Sequence, residues 1–274
     1  MSTTPAAVQP VPRGGMARLV GRRITDWIPP AVVLVASIAL WEGLIRAFNV
    51  QAFLLPKPSA IASTFWHTRS ELWHAGWFTF QEALGGFALG SGLAILFALV
   101  LARWRVLGSA LLPYAVAANA IPIIAFAPIT NTWFSPLNKS SKITIAAVLC
   151  FFPVLVNTLR GLTSVIPRAL ELMESYAAGQ FEIFRRVRIP TALPFIFTGL
   201  KVATVLAMIG AVVGEYFGGA LNALGVLILS RARVFQFDEA WAGIFLACVL
   251  GLALYVAVAL VERLALRWVP STSE

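Results

Sequence analysis

The chain has 274 residues, 59% of them hydrophobic and only 12% charged, with a mean hydropathy of +0.83. Soluble domains carry about 25% charged residues, so this composition excludes a soluble globular domain and specifies an integral membrane protein. The formal charge is +9, yet the 21 Lys and Arg are scattered between apolar runs, a distribution that speaks for membrane topology and against a nucleic-acid footprint. Cys150 and Cys248 both fall inside apolar segments and imply neither a disulfide framework nor a metal site. They read as packed or lipid-facing thiols.

Residues 1–27 mix Pro, Ser, Thr, Gly and Arg without apolar periodicity and are expected to be a flexible cytoplasmic segment. Arg13, Arg18, Arg22 and Arg23 precede the first apolar run as in a signal peptide, but that run is too long and lacks a small-x-small site, so it is expected to be retained. A helix crossing about 30 Å of hydrocarbon needs roughly 20 mostly apolar residues. Six stretches qualify: 28–48, 82–101, 106–130, 143–162, 192–217 and 240–266. The expected fold is therefore all-α, a polytopic membrane domain of six transmembrane helices over 28–268, followed by a tail at 269–274. No internal repeat is visible.

The loop 49–79 opens with Leu55-Pro56-Lys57-Pro58 and carries Ile61, Phe65, Leu72, Trp73 and Trp77, a pattern that fits an amphipathic segment at the interface. Trp66, Trp73, Trp77 and Trp133 are assigned to one aromatic belt, and Trp27 and Trp268 to the other. With six spans both termini share a side. That side holds thirteen Lys and Arg, including those of the 160–192 loop, against six on the other. The positive-inside bias makes the termini and the 160–192 loop cytoplasmic.

No Gly-x-x-x-x-Gly-Lys-Ser/Thr phosphate cradle occurs in the sequence, so any dependence on ATP must come through a partner. The two histidines, His67 and His74, have no neighbouring carboxylate or cysteine set, which leaves little material for enzymatic or metal chemistry. The 160–192 loop is the informative segment. Leu170, Met173, Ala177, Phe181 and Phe184 recur at three- and four-residue steps, with Glu171, Glu174, Glu182, Arg185 and Arg186 on the other faces. Such a stripe away from the bilayer needs another protein surface. Gly179 is positioned to end a first short helix, and Pro190 and Pro194 to start the next span.

In these residues the chain resembles the inner-membrane permease subunits of binding-protein-dependent ABC importers. Aligned on Pro190 and Leu193-Pro194, the glutamate of the family's cytoplasmic Glu-Ala-Ala motif falls on Glu171, its two alanines on Leu172 and Met173, and its glycine on Ala177. The Phe184-Arg185-Arg186-Val187 run, the prolines, Phe197-Thr198-Gly199-Leu200-Lys201, Leu55-Pro56 and Ala125-Phe126-Ala127-Pro128 extend the likeness over 55–267. With the alanines and glycine replaced, Gly179 would move the turn by two residues. The resemblance implies a type I importer permease that couples to two ATPase subunits through Glu171, Met173, Ala177, Gly179, Phe181, Phe184, Arg185 and Arg186. It also implies an external or periplasmic binding protein, a second permease copy, and a bacterial inner membrane. ATP and Mg would be bound by the partner, with no cofactor in this chain.

Within the family the strings Glu171-Leu172-Met173, Ser175-Tyr176-Ala177-Ala178 and Gly214-Glu215-Tyr216-Phe217-Gly218-Gly219 resemble the nitrate, sulfonate and taurine branch. Inside that branch they look like permeases for pyrimidine thiamine precursors and riboflavin. Small sulfonates, nitrate or taurine-like anions are the alternative cargo.

Ionisable residues inside spans are costly and often functional. Glu42 and Arg46, four apart, are read as one ion pair. Lys201 could snorkel, meet a span end or face the pathway, and Glu215 could line a gate or be wet. Asn119, Pro122, Asn131 and Asn157 are candidate pathway residues, although helix–helix bonding is equally open to them. Apart from Lys201 and Arg46, and Arg160 and Arg263 counted with the cytoplasmic ends, the spans contain no basic residue, which favours a neutral solute. A gradient-driven secondary transporter would lead one to expect inverted repeats, and a membrane enzyme an acid–base cluster at one depth. The sequence meets neither expectation.

Overall fold

The computed structural model describes residues 16–52, 54–103 and 123–267, together with 110, 113, 114 and 117; for residues 16–27 it describes the backbone alone. Residues 1–59 and 60–274 form two compact units. In the first, helix α1 runs over Met16–Ala47, so helical backbone reaches well into the segment expected to be flexible. Between Met16 and Trp27 the only weak helix former of the Gly/Pro kind is Gly21, and nothing there stops a helix that propagates from the apolar run. Arg46 Nη2 donates to Glu42 Oε1 at 2.6 Å, the ion pair expected from the spacing. The Ser59 N–H and hydroxyl donate to the same carboxylate at 3.0 and 2.7 Å and tie the turn after α1 back onto it.

In the second unit the expected interfacial loop and second span are one uninterrupted helix, α2, over Pro58–Arg103. Its 46 residues measure about 69 Å, more than twice the hydrocarbon thickness. The reason is local: Pro58 starts the helix, and from Ser59 to Gln81 the sequence holds one glycine, Gly76, and no proline. Amphipathic periodicity and span periodicity therefore run on in a single rod. Trp66, Trp73 and Trp77 are exposed along it, spread over about 16 Å of helix and not at one level.

A 3₁₀ turn at Ile123–Phe126 leads into α3 (Ala127–Phe134), then α4 (Lys139–Thr163), α5 (Pro167–Ser175) and α6 (Gln180–Ile183). A π-helical turn, Phe184–Arg188, joins α6 to α7 (Ile189–Tyr216), followed by α8 (Leu224–Arg233) and α9 (Phe237–Ala265). Among the described residues there is no strand, and five helices are long and apolar enough to span a membrane: Ile28–Ala47, Pro58–Ala102, Lys139–Thr163, Gln180–Tyr216 and Phe237–Ala265. The remaining expected span, 106–130, lies largely outside the described residues.

The core is the seam between α4 and α7. Ile145, Ala146, Cys150 and Val154 face Ala203, Ala207 and Ala211, all buried, and the Cys150 thiol donates to the Ala203 carbonyl at 3.3 Å. Lipid tails are as apolar as leucine, so helices in a bilayer associate through close packing, which small residues permit. A Cβ added at Gly210 would lie 2.8 Å from Ala146 Cα, and one at Gly199 would lie 3.1 Å from Val154 Cα. On the far side α7, α8 and α9 border an apolar groove of about 740 Å³ lined by Met208, Ile228 and Gly251 among others.

Helix α2 meets α4 by the same device. A Cβ at Gly86 would lie 3.0 Å from the Ala147 nitrogen, and one at Gly90 would collide with the Ala147 carbonyl, whereas Gly92 faces open space. Gly90→Ala is therefore expected to destabilise by about 1–3 kcal/mol through overpacking against backbone. Gly92→Ala in the same helix should gain about 0.5–1 kcal/mol. Thermal unfolding of the two detergent-solubilised variants checks the contrast.

Candidate functional site: a charged helical linker and a buried polar core

Two regions carry most of the residues singled out by the sequence. The first is the linker between α4 and α7. Helix α5 starts at Pro167 and ends at Ser175. Its last turn closes through Ala177 N–H to Glu174 O at 2.9 Å and Ala178 N–H to Met173 O at 3.0 Å. Ala177 sits in the left-handed region with φ of 51°, the conformation for which a helix C-terminus usually recruits glycine. It is also the position on which the aligned family glycine falls.

Gly179 does not move the turn. It has φ of −68° and extended backbone, and it precedes α6. The expectation that Gly179 ends the first helix is thereby corrected: the turn geometry stays at Ala177, where the longer-range hydrogen bonds hold an alanine in a glycine conformation. Ala177→Gly is expected to stabilise the protein by about 0.5–1 kcal/mol by relieving a Cβ clash, net of glycine's larger unfolded-state entropy. Ala177→Val should lose about 1 kcal/mol or more. Chemical denaturation followed at the linker reads both signs.

Because the helix stops at Ser175, the stripe Leu170, Met173, Ala177, Phe181, Phe184 is not one helical face. Met173 and Phe184 are half-buried and Ile183 is buried. The large apolar side chains left bare are Ile166 at 68%, Leu172 at 56%, Tyr176 at 75% and Phe181 at 77% exposure. Leu172 and Tyr176 lay outside the expected stripe because its period was carried through the break. Glu171 and Arg185 are exposed, Arg186 pairs with Glu182 at 3.1 Å, and Arg188 Nη1 donates to the Ala102 carbonyl in the last turn of α2 at 3.4 Å.

The second region is a polar core at the α3–α4 end of the bundle. Thr79, Glu82, Thr130, Ser141, Lys142 and Glu215 are all at most 2% exposed, and they come from α2, α3, α4 and α7. The Thr79 hydroxyl donates to Glu215 Oε1 at 2.6 Å, and the Gly225 N–H donates to Glu215 Oε2 at 2.5 Å. Ser141 Oγ lies 2.6 Å from Asn131 Oδ1, and Asn131 Nδ2 donates to the Phe217 carbonyl at 3.0 Å. Lys142 Nζ donates to the Pro136 carbonyl and, at 3.4 Å, to Asn131 Oδ1. The Glu82 and Glu215 carboxyls lie within hydrogen-bonding reach of each other.

Of the expected pathway residues, Asn131 and Glu215 meet in this core, and Glu215 is neither wet nor alone. Asn157 lies about 22 Å further along α4, with its amide donating to the Pro153 carbonyl at 2.8 Å. Lys201 pairs with Glu262 of α9 at 2.7 Å, a partner that no local spacing could have indicated. Asn119 and Pro122 lie outside the described residues. Glu82, Lys142 and Thr79 escaped the sequence reading because each stood at the edge of an apolar run and looked interfacial. The charged pattern of Glu82 and Lys142 flanking spans that also contain Gly85-Gly86 and Glu215 is the signal that was available.

The described residues thus form a multi-pass helical membrane protein with an exposed, charged helical linker between two spans. Residues 90–269 match the family described as the inner membrane component of binding-protein-dependent transport systems, and the chain belongs to that family. A riboflavin transport system permease protein of Chloroflexus aurantiacus is 34% identical over 239 residues, 86% of this chain and 88% of the relative. A formylaminopyrimidine transport permease protein of Halalkalibacterium halodurans is 34% identical over 254 residues, 90% and 98% of the two chains. A putative aliphatic sulfonates transport permease protein of Escherichia coli is 29% identical over 254 residues, 91% and 93% of the two.

Proposed function

We propose that the chain is the membrane-spanning subunit of an ATP-driven importer of the bacterial inner membrane, with both termini and the α5–α6 linker cytoplasmic and the polar core at the outer end. In this reading it works with a second permease copy, two ATPase subunits that bind ATP and Mg, and an external binding protein that delivers the solute. The observation that carries it is the linker: Leu172 and Tyr176 stand bare on a charged surface between two spans, and Phe181 stands bare in the first turn of the next. Bare aromatic and aliphatic anchors of this kind seek a protein pocket. Closure of the ATPase pair would push on α5, and the stiff π turn and α7 would carry that displacement into the α4–α7 seam.

Tyr176→Ala and Phe181→Ala each remove a large aromatic anchor and should weaken ATPase docking by about 2 kcal/mol if central to the interface, roughly 30-fold. Co-purification and coupled ATP hydrolysis of the double variant measure it. Unchanged values for both would refute docking through this surface.

The proposed cargo is a neutral or weakly polar heterocycle, such as a vitamin or pyrimidine precursor. What supports this is charge. Among the described residues, Arg46 pairs with Glu42 and Lys201 with Glu262, and Lys142 is buried in the polar core with Glu82 and Glu215, while Arg160 and Arg263 are exposed near span ends. An anion pathway would gain from unneutralised positive charge. Small sulfonates or related anions are the second reading, supported by the sulfonate permease relatives. Reconstituted complex with its binding protein should take up riboflavin or a formylaminopyrimidine in a vanadate-sensitive manner and leave an alkanesulfonate behind. The reverse preference would install the anion reading, and vanadate-insensitive uptake would point to a gradient-driven carrier.

A further inference from the structure

The buried polar core holds two carboxyls and one ammonium, Glu82 of α2, Glu215 of α7 and Lys142 of α4, each at most 2% exposed. Hydrogen-bond donors are shared unequally among them. Glu215 Oε1 takes the Thr79 hydroxyl at 2.6 Å and Glu215 Oε2 takes the Gly225 N–H at 2.5 Å. The Thr79 oxygen in turn accepts from the Leu224 N–H at 2.9 Å, which leaves its hydroxyl proton aimed at Glu215. Lys142 directs its ammonium to the Pro136 carbonyl and to Asn131 Oδ1, and among the described residues it makes no direct ion pair with either glutamate.

Glu82 receives none of these donors. Its Oε2 is buried without a hydrogen-bond partner, and the Glu215 carboxyl stands beside it within hydrogen-bonding reach. Two ionised carboxyls in contact repel, and a buried anionic oxygen without a donor is left with its desolvation uncompensated. Both costs are removed when one proton lies between the two groups. The donor pattern says where it resides: the carboxyl that accepts a hydroxyl and a backbone N–H is the one stabilised as an anion, so the proton sits on Glu82, which donates to Glu215.

The charges of the core agree with this count. A neutral Glu82, an anionic Glu215 and a cationic Lys142 sum to zero, whereas two ionised glutamates would bury an excess negative charge. The other titratable groups around the pair are Lys139 of α4, which donates to Gln81 Oε1 at 2.6 Å and lies over the Phe78 ring, and Tyr216, next to Glu215 in α7. Helix α8 presents the Gly225 N–H, and α3 presents Thr130 and Asn131, which do not titrate.

We infer that Glu82 and Glu215 hold a single proton between them at neutral pH, and that this proton is the joint fastening α2 to α7 where the spans end. Its loss would leave two buried carboxylates in contact facing one ammonium, so alkali weakens the joint. The sign follows from the unfolded chain, in which both carboxyls meet water and are ionised above about pH 5. Unfolding near neutral pH therefore releases the shared proton, and stability falls as the pH rises. The placement of the joint at the outer end rests on the orientation proposed above; the proton itself does not.

The full-length protein in lipid nanodiscs provides the test. At about pH 7 the infrared difference spectrum of wild type against Glu82→Gln should show the C=O stretch of one carboxylic acid, shifted in heavy water. Isotope labelling of the glutamate carboxyls assigns the band in the unmodified protein, so the result stands even where a variant fails to fold. Glu215→Gln should lose the same band, because a lone carboxyl facing Lys142 ionises. Absence of the band from the wild type would overturn the shared proton. Its persistence in Glu215→Gln would show Glu82 protonated without its partner and overturn the joint between the two.

Unfolding measured between about pH 6 and about pH 9 gives a second readout. The amide of Glu82→Gln donates to Glu215 at every pH, so the wild type should lose stability relative to that variant by up to about tenfold in the unfolding equilibrium per pH unit. Parallel pH profiles for the two proteins would overturn the sensitivity to alkali.

Discussion

The structure depends on one constraint: in a solvent of hydrocarbon, a polar group must find its partners inside the protein. Glu215 is where that requirement gathers the most chain. Its two oxygens take a hydroxyl from α2 and an N–H from α8, while two residues further along, the backbone of Phe217 accepts from Asn131, which is itself fixed by Ser141. Five helices from three separate stretches of the sequence are thereby held in one register. Apolar packing alone discriminates poorly between registers in a bilayer, because a leucine is equally content against lipid or against another leucine.

The small residues supply the other half of the specification. Gly86, Gly90, Gly199 and Gly210 let α2 and α7 approach the backbone of α4 so closely that a methyl group at any of them meets main-chain or side-chain atoms. Dispersion contacts accumulate along such a seam. The outcome is a stiff centre, α4 with α7, to which the linker is attached at one end and the polar core at the other.

The linker follows a different economy. Outside the bilayer its backbone can be wet, and its apolar side chains need a partner only where they are large and bare. The chain holds Ala177 in a left-handed conformation instead of moving the turn to Gly179. The cost of an alanine there, about 1–2 kcal/mol at most, is smaller than the cost of breaking the hydrogen bonds that close α5 and shifting Leu172 and Tyr176 to another face. Surface geometry outweighs local propensity at this position.

Length, hydropathy and the spacing of basic residues were enough to establish a helical, multi-pass membrane protein and to place most of its apolar helices, because transfer to hydrocarbon depends on composition summed over about 20 residues and hardly on context. The Glu42–Arg46 pair was legible for a similar reason, being four residues apart on one helix. Where each helix begins was less so, since periodicity cannot tell the 58–81 segment lying along a surface from the same segment continuing α2. Partnerships across the fold were not legible at all. Lys201 with Glu262, Thr79 with Glu215, and Glu82 against Glu215 join residues 61, 136 and 133 positions apart. Only the packing of α2 and α9 beside α7 brings those side chains within reach, and no one-dimensional pattern encodes which polar atom will be left facing which.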